Sequence, residues 1–253
     1  MVTEQQFQHV NSQLRTSQAK NQNRELPFVS EVYETQEHKP CKRCGVEIEV
    51  LYSRKYCPEC SDVLVAEYKQ REQEKLQAEK EMRFRDRIPP HFHGARMEDL
   101  NVDLRSTIET KPFEQGLLLW GGAGNGKTHT TSAMAYDLIM RDISVHRKTF
   151  KELLLSIRET FDNGKSEQSV YRPLLAARAL IMEDVAASGK QSDFTTDVLL
   201  HVIDKRIESL RPTIITSNLS PENIEKAFGQ RVGSRLSTFL AIKLDGADRR
   251  RIT

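Results

Sequence analysis

Two short stretches carry residues whose types and spacing are those of phosphate chemistry. "GGAGNGKT", residues 121 to 128, has Gly121, Gly126, Lys127 and Thr128 at the fixed places of a Walker A loop. Gly121, Gly122, Ala123, Gly124, Asn125 and Gly126 supply a backbone that can turn successive N–H groups towards phosphate oxygens. A helix N-terminus directly after it adds partial positive charge. Lys127 is placed to reach the β- and γ-phosphates, and Thr128 to offer its hydroxyl to Mg²⁺. The second stretch, "ALIMEDVAAS" at 179 to 188, leads four apolar residues into two carboxylates, Glu183 and Asp184. Such a pair at a strand end holds magnesium with the first acid and activates the attacking water with the second. The usual order puts Asp first; here the longer side chain leads.

A third set is metallic. "CKRCGVEIEVLYSRKYCPEC" places Cys41, Cys44, Cys57 and Cys60 as two Cys-x2-Cys knuckles separated by twelve residues. Gly45 and Pro58 follow the second cysteine of the first knuckle and the first of the second, and the spacing fits tetrahedral Zn²⁺. An iron–sulfur cluster is the rival metal; disulfides conflict with the compartment expected below. Four protein ligands would close the site, so its work would be to fold a segment too short for a core.

Positioning these residues requires strands and helices in alternation. "GLLLWG" predicts a buried strand and "GKTHTTSAMAYDLIMRD" a helix opening from it. "ISVHRKT" predicts a strand, and "TFKELLLSIRETF" a helix started by a capping box of Thr149 and Glu152. "ALIM", "TIITSN" and "LAIKL" predict further strands; "FTTDVLLHVIDKRIESL", "PENIEKAF" and "QRVGSRL" predict helices. Alternating elements of this kind imply a parallel sheet covered on both faces. The tip Thr216-Ser217-Asn218 either holds the attacking water or is an ordinary strand-to-turn junction. Arg231 and Arg235 lie one helical turn apart, as a finger towards a neighbour's phosphate or as a solvated basic face.

Ahead of the sheet, "SDVLVAEYKQREQEKLQAEKEMRFRDRI" predicts a charged helix capped by Ser61 and ended by "IPP", bridging two modules. Within residues 1 to 38, "QQFQHVNSQL" puts Phe7, Val10 and Leu14 at helical spacing, but the segment reads as a disordered arm or a docking segment that folds on a partner. The division expected is an arm at 1–38, a zinc module at 39–62, a linker helix at 63–88 and an ATPase domain at 89–253. A net charge of +2 points to no polyanion partner by itself. No apolar run approaches the ~20 residues that span a bilayer, and "MVTEQQFQHVNSQLR" has no apolar signal core. A cytoplasmic protein is expected.

Together, "RIPPHFHGARMEDL", "GLLLWGGAGNGKTH", "ALIMEDVA", "DKRIESLRPTIITSNLS" and "GQRVGSRL" resemble the DnaC/DnaI-type loaders of replicative helicases, in the AAA+ superfamily, over about residues 84 to 253. The resemblance implies an AAA+ ATPase with a reduced or absent lid, bound to ATP and Mg²⁺. It implies a hexameric DnaB-type helicase and single-stranded DNA as partners, with self-association on nucleotide or helicase. It assigns Lys127 and Thr128 to Walker A, Glu183 and Asp184 to Walker B, Asn218 to sensor 1, Arg235 to the arginine finger and Arg250 to the neighbourhood of sensor 2. Some loaders carry an N-terminal zinc module that meets the helicase. Two departures matter: the acid order, and Ala186 where Gly is common. Sliding the register would bury Glu183 among apolar strand residues, so Glu183 keeps the magnesium place. Asp184 then reaches about 1 to 1.5 Å less far than a Glu, which implies slow hydrolysis. A related IstB-type transposition helper, or a nucleotide-gated adaptor without turnover, are the alternatives.

Overall fold

The computed structural model describes residues 38–49, 55–110, 116–185 and 191–245. The arm with Phe7, Val10 and Leu14, as well as Ala186 and Arg250, lies outside them, as does the segment on which a lid would fall. The chain divides into two compact units between Tyr68 and Lys69.

The smaller unit is built on a short antiparallel pair, β1 (His38–Pro40) and β2 (Glu47–Glu49). Helix α1 (Pro58–Arg87) begins within its second cysteine knuckle and continues through the unit boundary. Its start is three residues ahead of the expected cap: Ser61 is already helical, and its N–H donates to the Cys57 carbonyl at 2.8 Å. The knuckle itself begins the helix, which a cap pattern does not reveal.

The larger unit is a three-layer α/β sandwich. Its five-stranded sheet runs β4 (Val145–Thr149), β5 (Ala179–Glu183), β6 (Thr213–Ser217), β3 (Leu117–Trp120), β7 (Leu240–Lys243). Every pairing is parallel. Side chains alternate between faces, and two separate cores result. On one face Leu118, Leu180, Met182 and Ile215 pack under α4 (Phe150–Asn163), α5 (Gln168–Ala176), α6 (Asp193–Glu208), α7 (Pro221–Phe228) and α8 (Gln230–Leu236). On the other, Leu117, Leu119, Ile181 and Ile214 pack under α3 (Lys127–Met140) and the C-terminal half of α1, through Phe84. The capping box of Thr149 and Glu152 is formed at the start of α4. Helix α2 (Val102–Thr110) and α5 were not predicted; α5 is short and carries Pro173 inside it.

The last turns of α1 are fastened to this face by polar side chains. Lys80 donates to the Met140 carbonyl at 2.8 Å and pairs with Asp142 at 2.7 Å. The Arg96 guanidinium lies 3.6 Å from the Tyr136 ring centroid, and Tyr136 stacks edge-on with Phe84.

Beneath the sheet, Arg206 is fully buried. It donates to Thr213 Oγ1 at 2.8 Å, to the Leu174 and Ala177 carbonyls at 2.6 and 3.0 Å, and to the Pro212 carbonyl at 2.6 Å. Burial lowers its guanidinium to about 10, so it stays a cation at neutral pH. It ties α5 and α6 to the start of β6. Arg206→Leu strands these acceptors and is expected to cost about 3 kcal/mol, read as a lowered denaturation midpoint.

Candidate functional site

Parallel strands bring their carboxyl ends to one edge of the sheet, where ligands of open α/β folds bind. The loop after β3, the acids at the end of β5 and Asn218 after β6 all lie there, with β6 between the other two strands. The loop "GGAGNGK" has the backbone its glycines predict. Gly121 takes φ 148° and Gly126, the residue before α3, φ 87°. A Cβ on Gly121 would come within 2.3 Å of the Leu244 carbonyl oxygen, so the loop tolerates only glycine there. Asn125 Nδ2 donates to that same carbonyl at 2.7 Å, and the Leu244 N–H donates to Trp120 O at 2.7 Å. Lys127 is buried and donates to the Gly121 and Gly122 carbonyls at 2.8 and 2.6 Å. The ammonium thus sits inside the loop's curve. Thr128 opens α3 beside it, half-buried. The positive φ values, the buried ammonium and the helix N-terminus fit a bound triphosphate.

The acids are separated by their backbones. Glu183, the last residue of β5, is 2% exposed. Burial of Glu183, which the sequence reading reserves for a shifted register, occurs in the register expected. Two partners meet the cost: Thr131 Oγ1 of α3 donates to Oε1 at 2.7 Å, and Arg147 Nη2 of β4 donates to Oε2. Asp184 leaves the strand with φ 55° and an exposed side chain. Its N–H donates to Thr216 Oγ1 at 3.0 Å, and the Val185 N–H to the Thr216 carbonyl at 2.9 Å. Ser217 Oγ donates to the Val185 carbonyl at 2.6 Å. Thr216 and Ser217 therefore spend their hydroxyls shaping the end of β5, which leaves Asn218 as the exposed polar residue of that tip.

Arg231 and Arg235 are both exposed on α8. Arg235 Nε donates to Asp204 Oδ1 of α6 at 2.7 Å. Arg147 and Thr131 are the site residues that sequence reasoning missed. Period-two alternation puts Arg147 on the face of buried Val145; a cation there calls for an acid, and that was the available signal.

In the smaller unit the four cysteine sulfurs lie within 4.8 Å of one another. Cys44 and Cys57 Sγ are 3.7 Å apart, far beyond a disulfide and close to the ~3.8 Å edge of a tetrahedron with ~2.3 Å metal–sulfur bonds. The Cys57 N–H points at Cys41 Sγ at 3.3 Å, and the Cys60 N–H at Cys57 Sγ at 3.4 Å. Backbone hydrogen bonding, chiefly at Cys44, lowers the Cys41 thiol to about 6, while the Cys60 thiol is pushed up by its hydrogen bond with Cys57. Four thiolates at this spacing repel one another unless a cation joins them. The donor set fits Zn²⁺.

Strand order, loop and acid pair define the class: an AAA+ P-loop nucleotide-binding protein. Residues 92–238, more than half of the chain, match the family described as IstB-like ATP binding protein, and the chain belongs to that family. The replicative helicase loader DnaC of Escherichia coli strain K12 is 28% identical over 117 residues, 46% of this chain and 47% of that one. Its counterpart in Buchnera aphidicola subsp. Baizongia pistaciae is 31% identical over 118 residues, 46% and 48% of the two chains. The chain spans about half the length of the curated relatives it matches. Among solved structures, a DnaC helicase loader superposes with TM-score 0.54 at 20% identity, covering 62% of this chain and all of that one (100%). DnaI superposes with TM-score 0.53 at 22% identity, covering 64% and 94%. These structural likenesses establish the fold. Among the described residues, no helix is long and apolar enough to cross a membrane.

Proposed function

We propose that this chain is an ATP-dependent loader that helps place a hexameric DnaB-type replicative helicase on single-stranded DNA. The observation that carries the reading is that the curated relatives named above are replicative helicase loaders. When bound, Mg²⁺ would neutralise the β- and γ-phosphate oxygens. Thr128 and Glu183 are the residues that would hold it, Thr128 by its hydroxyl and Glu183 by its carboxylate. Lys127 exchanges the loop carbonyls for phosphate oxygens. Asp184 accepts the proton of the attacking water, and Asn218 orients that water. Arg250 is read as falling near the sensor 2 arginine.

Arg235 is read as a finger acting on a neighbouring subunit. Its pair with Asp204 is exposed and worth at most about 1 kcal/mol, so a neighbour's phosphate can take its place. Arg235→Ala is expected to leave ATP affinity of the isolated chain within about twofold. Fingers in fast GTPases contribute about 10³-fold or more; the slow hydrolysis expected here makes a loss of about tenfold in helicase-stimulated turnover the expected value. A large loss of ATP affinity in the monomer would put Arg235 in its own chain's pocket instead.

The decisive experiment is co-purification with a hexameric replicative helicase in the presence of ATP. Retention of the helicase supports the loader. Failure to retain it, with assembly instead on duplex DNA beside a transposase, supports the IstB-type helper. Retention without any single-turnover hydrolysis supports a nucleotide-gated adaptor. The cysteine cluster is proposed to hold one structural Zn²⁺ and to contribute to the helicase contact.

A further inference from the structure

Glu183 is a magnesium residue in the reading above, yet in the folded chain its carboxylate is already occupied by a cation of the protein itself. Arg147 and Thr149 share one face of β4, and Ile181 and Glu183 share the same face of β5, because alternate residues of a strand point the same way. The register pairs Arg147 with Ile181 and Thr149 with Glu183, so Arg147 reaches Glu183 diagonally across the two strands. The ion pair is largely out of water: the side chains are 14% and 3% exposed. Among the described residues, Arg147 Nε is buried with no hydrogen-bond partner, so the guanidinium is held by one nitrogen rather than as a two-point fork. The other carboxylate oxygen is fixed by Thr131, whose hydroxyl also lies 3.1 Å from the Thr128 carbonyl one turn back on α3.

We propose that Arg147 is a positioning residue for Glu183, an internal cation that holds the carboxylate on the β4 side of the strand end. Glu183 then serves a metal site only by sharing Arg147 or releasing it. The pair therefore sets the Mg²⁺ concentration at which nucleotide binding becomes metal-dependent, and sets it high. The one-point contact favours this role, since a single Nη2 hydrogen bond is released more easily than a bidentate pair. The Glu at 183 acquires a physical reason too: its extra methylene lets the carboxylate reach back towards β4.

This inference rests on the magnesium reading of Glu183, and the test separates the two. Nucleotide binding by the full chain is followed through Trp120, the single tryptophan, one residue before the phosphate loop, while Mg²⁺ is titrated. Removing one positive charge at close range is expected to lower the half-saturating Mg²⁺ concentration about tenfold in Arg147→Met. Arg147→Lys keeps the charge and is expected to stay within about twofold of wild type. Glu183→Gln is expected to raise the concentration about tenfold. Arg147→Gln removes the charge but keeps an N–H for Oε2, and replaces the Met variant if that one does not fold. An Arg147→Gln or Arg147→Met chain with wild-type Mg²⁺ dependence, beside a shifted Glu183→Gln, overturns the positioning role alone. An unshifted Glu183→Gln overturns the magnesium reading and this inference with it.

Discussion

Asp184→Asn is expected to leave ATP binding close to wild type while cutting single-turnover hydrolysis by roughly 10²- to 10⁴-fold, the usual worth of a general base. The substitution is clean for a backbone reason. Asp184 sits at φ 55°, a region that Asn and Asp occupy far more readily than other side chains. Asn therefore keeps the conformation and removes only the ability to accept a proton. The same angle qualifies the opposite experiment. Asp184→Glu restores the reach of a longer acid, which speeds proton transfer, but it puts a less tolerant residue in the left-handed region. It is expected to raise hydrolysis by less than reach alone implies and to lower thermal stability. The double variant Glu183→Asp with Asp184→Glu restores the usual acid order and also shortens the arm that meets Arg147. Wild-type turnover equal to that of the double variant, measured with helicase and single-stranded DNA present, would rule out that the acid order slows hydrolysis.

Replacing Cys41 or Cys57 with Ser is expected to remove about one Zn per chain and to unfold the smaller unit. Metal binding in such units is worth on the order of 10 kcal/mol; among the described residues of this unit, the buried apolar set is Cys41, Ile48 and Cys57 with Tyr56 and Cys60 packed against it. ATP binding should persist, because its residues belong to the other compact unit. Metal content by elemental analysis, and nucleotide binding on the same sample, read both outcomes. Iron, or no metal in the wild-type chain, would sink the zinc assignment. Binding must also strip protons from thiols, so affinity falls as pH falls. The Cys60 thiol, held above its ordinary value, is among the last to ionise and contributes to that dependence.

Most of the sheet was legible because its strands other than β4 are mainly apolar runs beside helix patterns, as in "GLLLWG" and "ALIM", whereas β4 carries His146, Arg147 and Lys148. The loop was legible because its glycines sit at positions where backbone geometry admits little else, as the 2.3 Å approach of the Leu244 carbonyl to a Cβ on Gly121 demonstrates. Helix α5 was not, since Pro173 reads as a breaker although the helix accommodates it. Helix α2 had a usable signal: Asn101 Oδ1 accepts from the Asp103 N–H at 2.9 Å, which is the work of a helix-start residue. What sequence could not supply was which acid faces where. The burial of Glu183 depends on Arg147, 36 positions earlier, and the turn at Asp184 depends on Thr216, 32 positions later. Neither separation leaves a local pattern.

Among the described residues, β7 is an edge strand, laddered to β3 alone. Its end is pinned twice at Leu244, once by the strand beside it and once by the Asn125 amide of the phosphate loop. Mechanically, the loop and the exit of the last strand form a single lever with its fulcrum at one carbonyl. A nucleotide that reshapes the loop by a fraction of an ångström must either drag that carbonyl along or break the amide contact. In both cases the end of β7 at Leu244 is expected to follow the occupancy of the site directly, with no relay through the core.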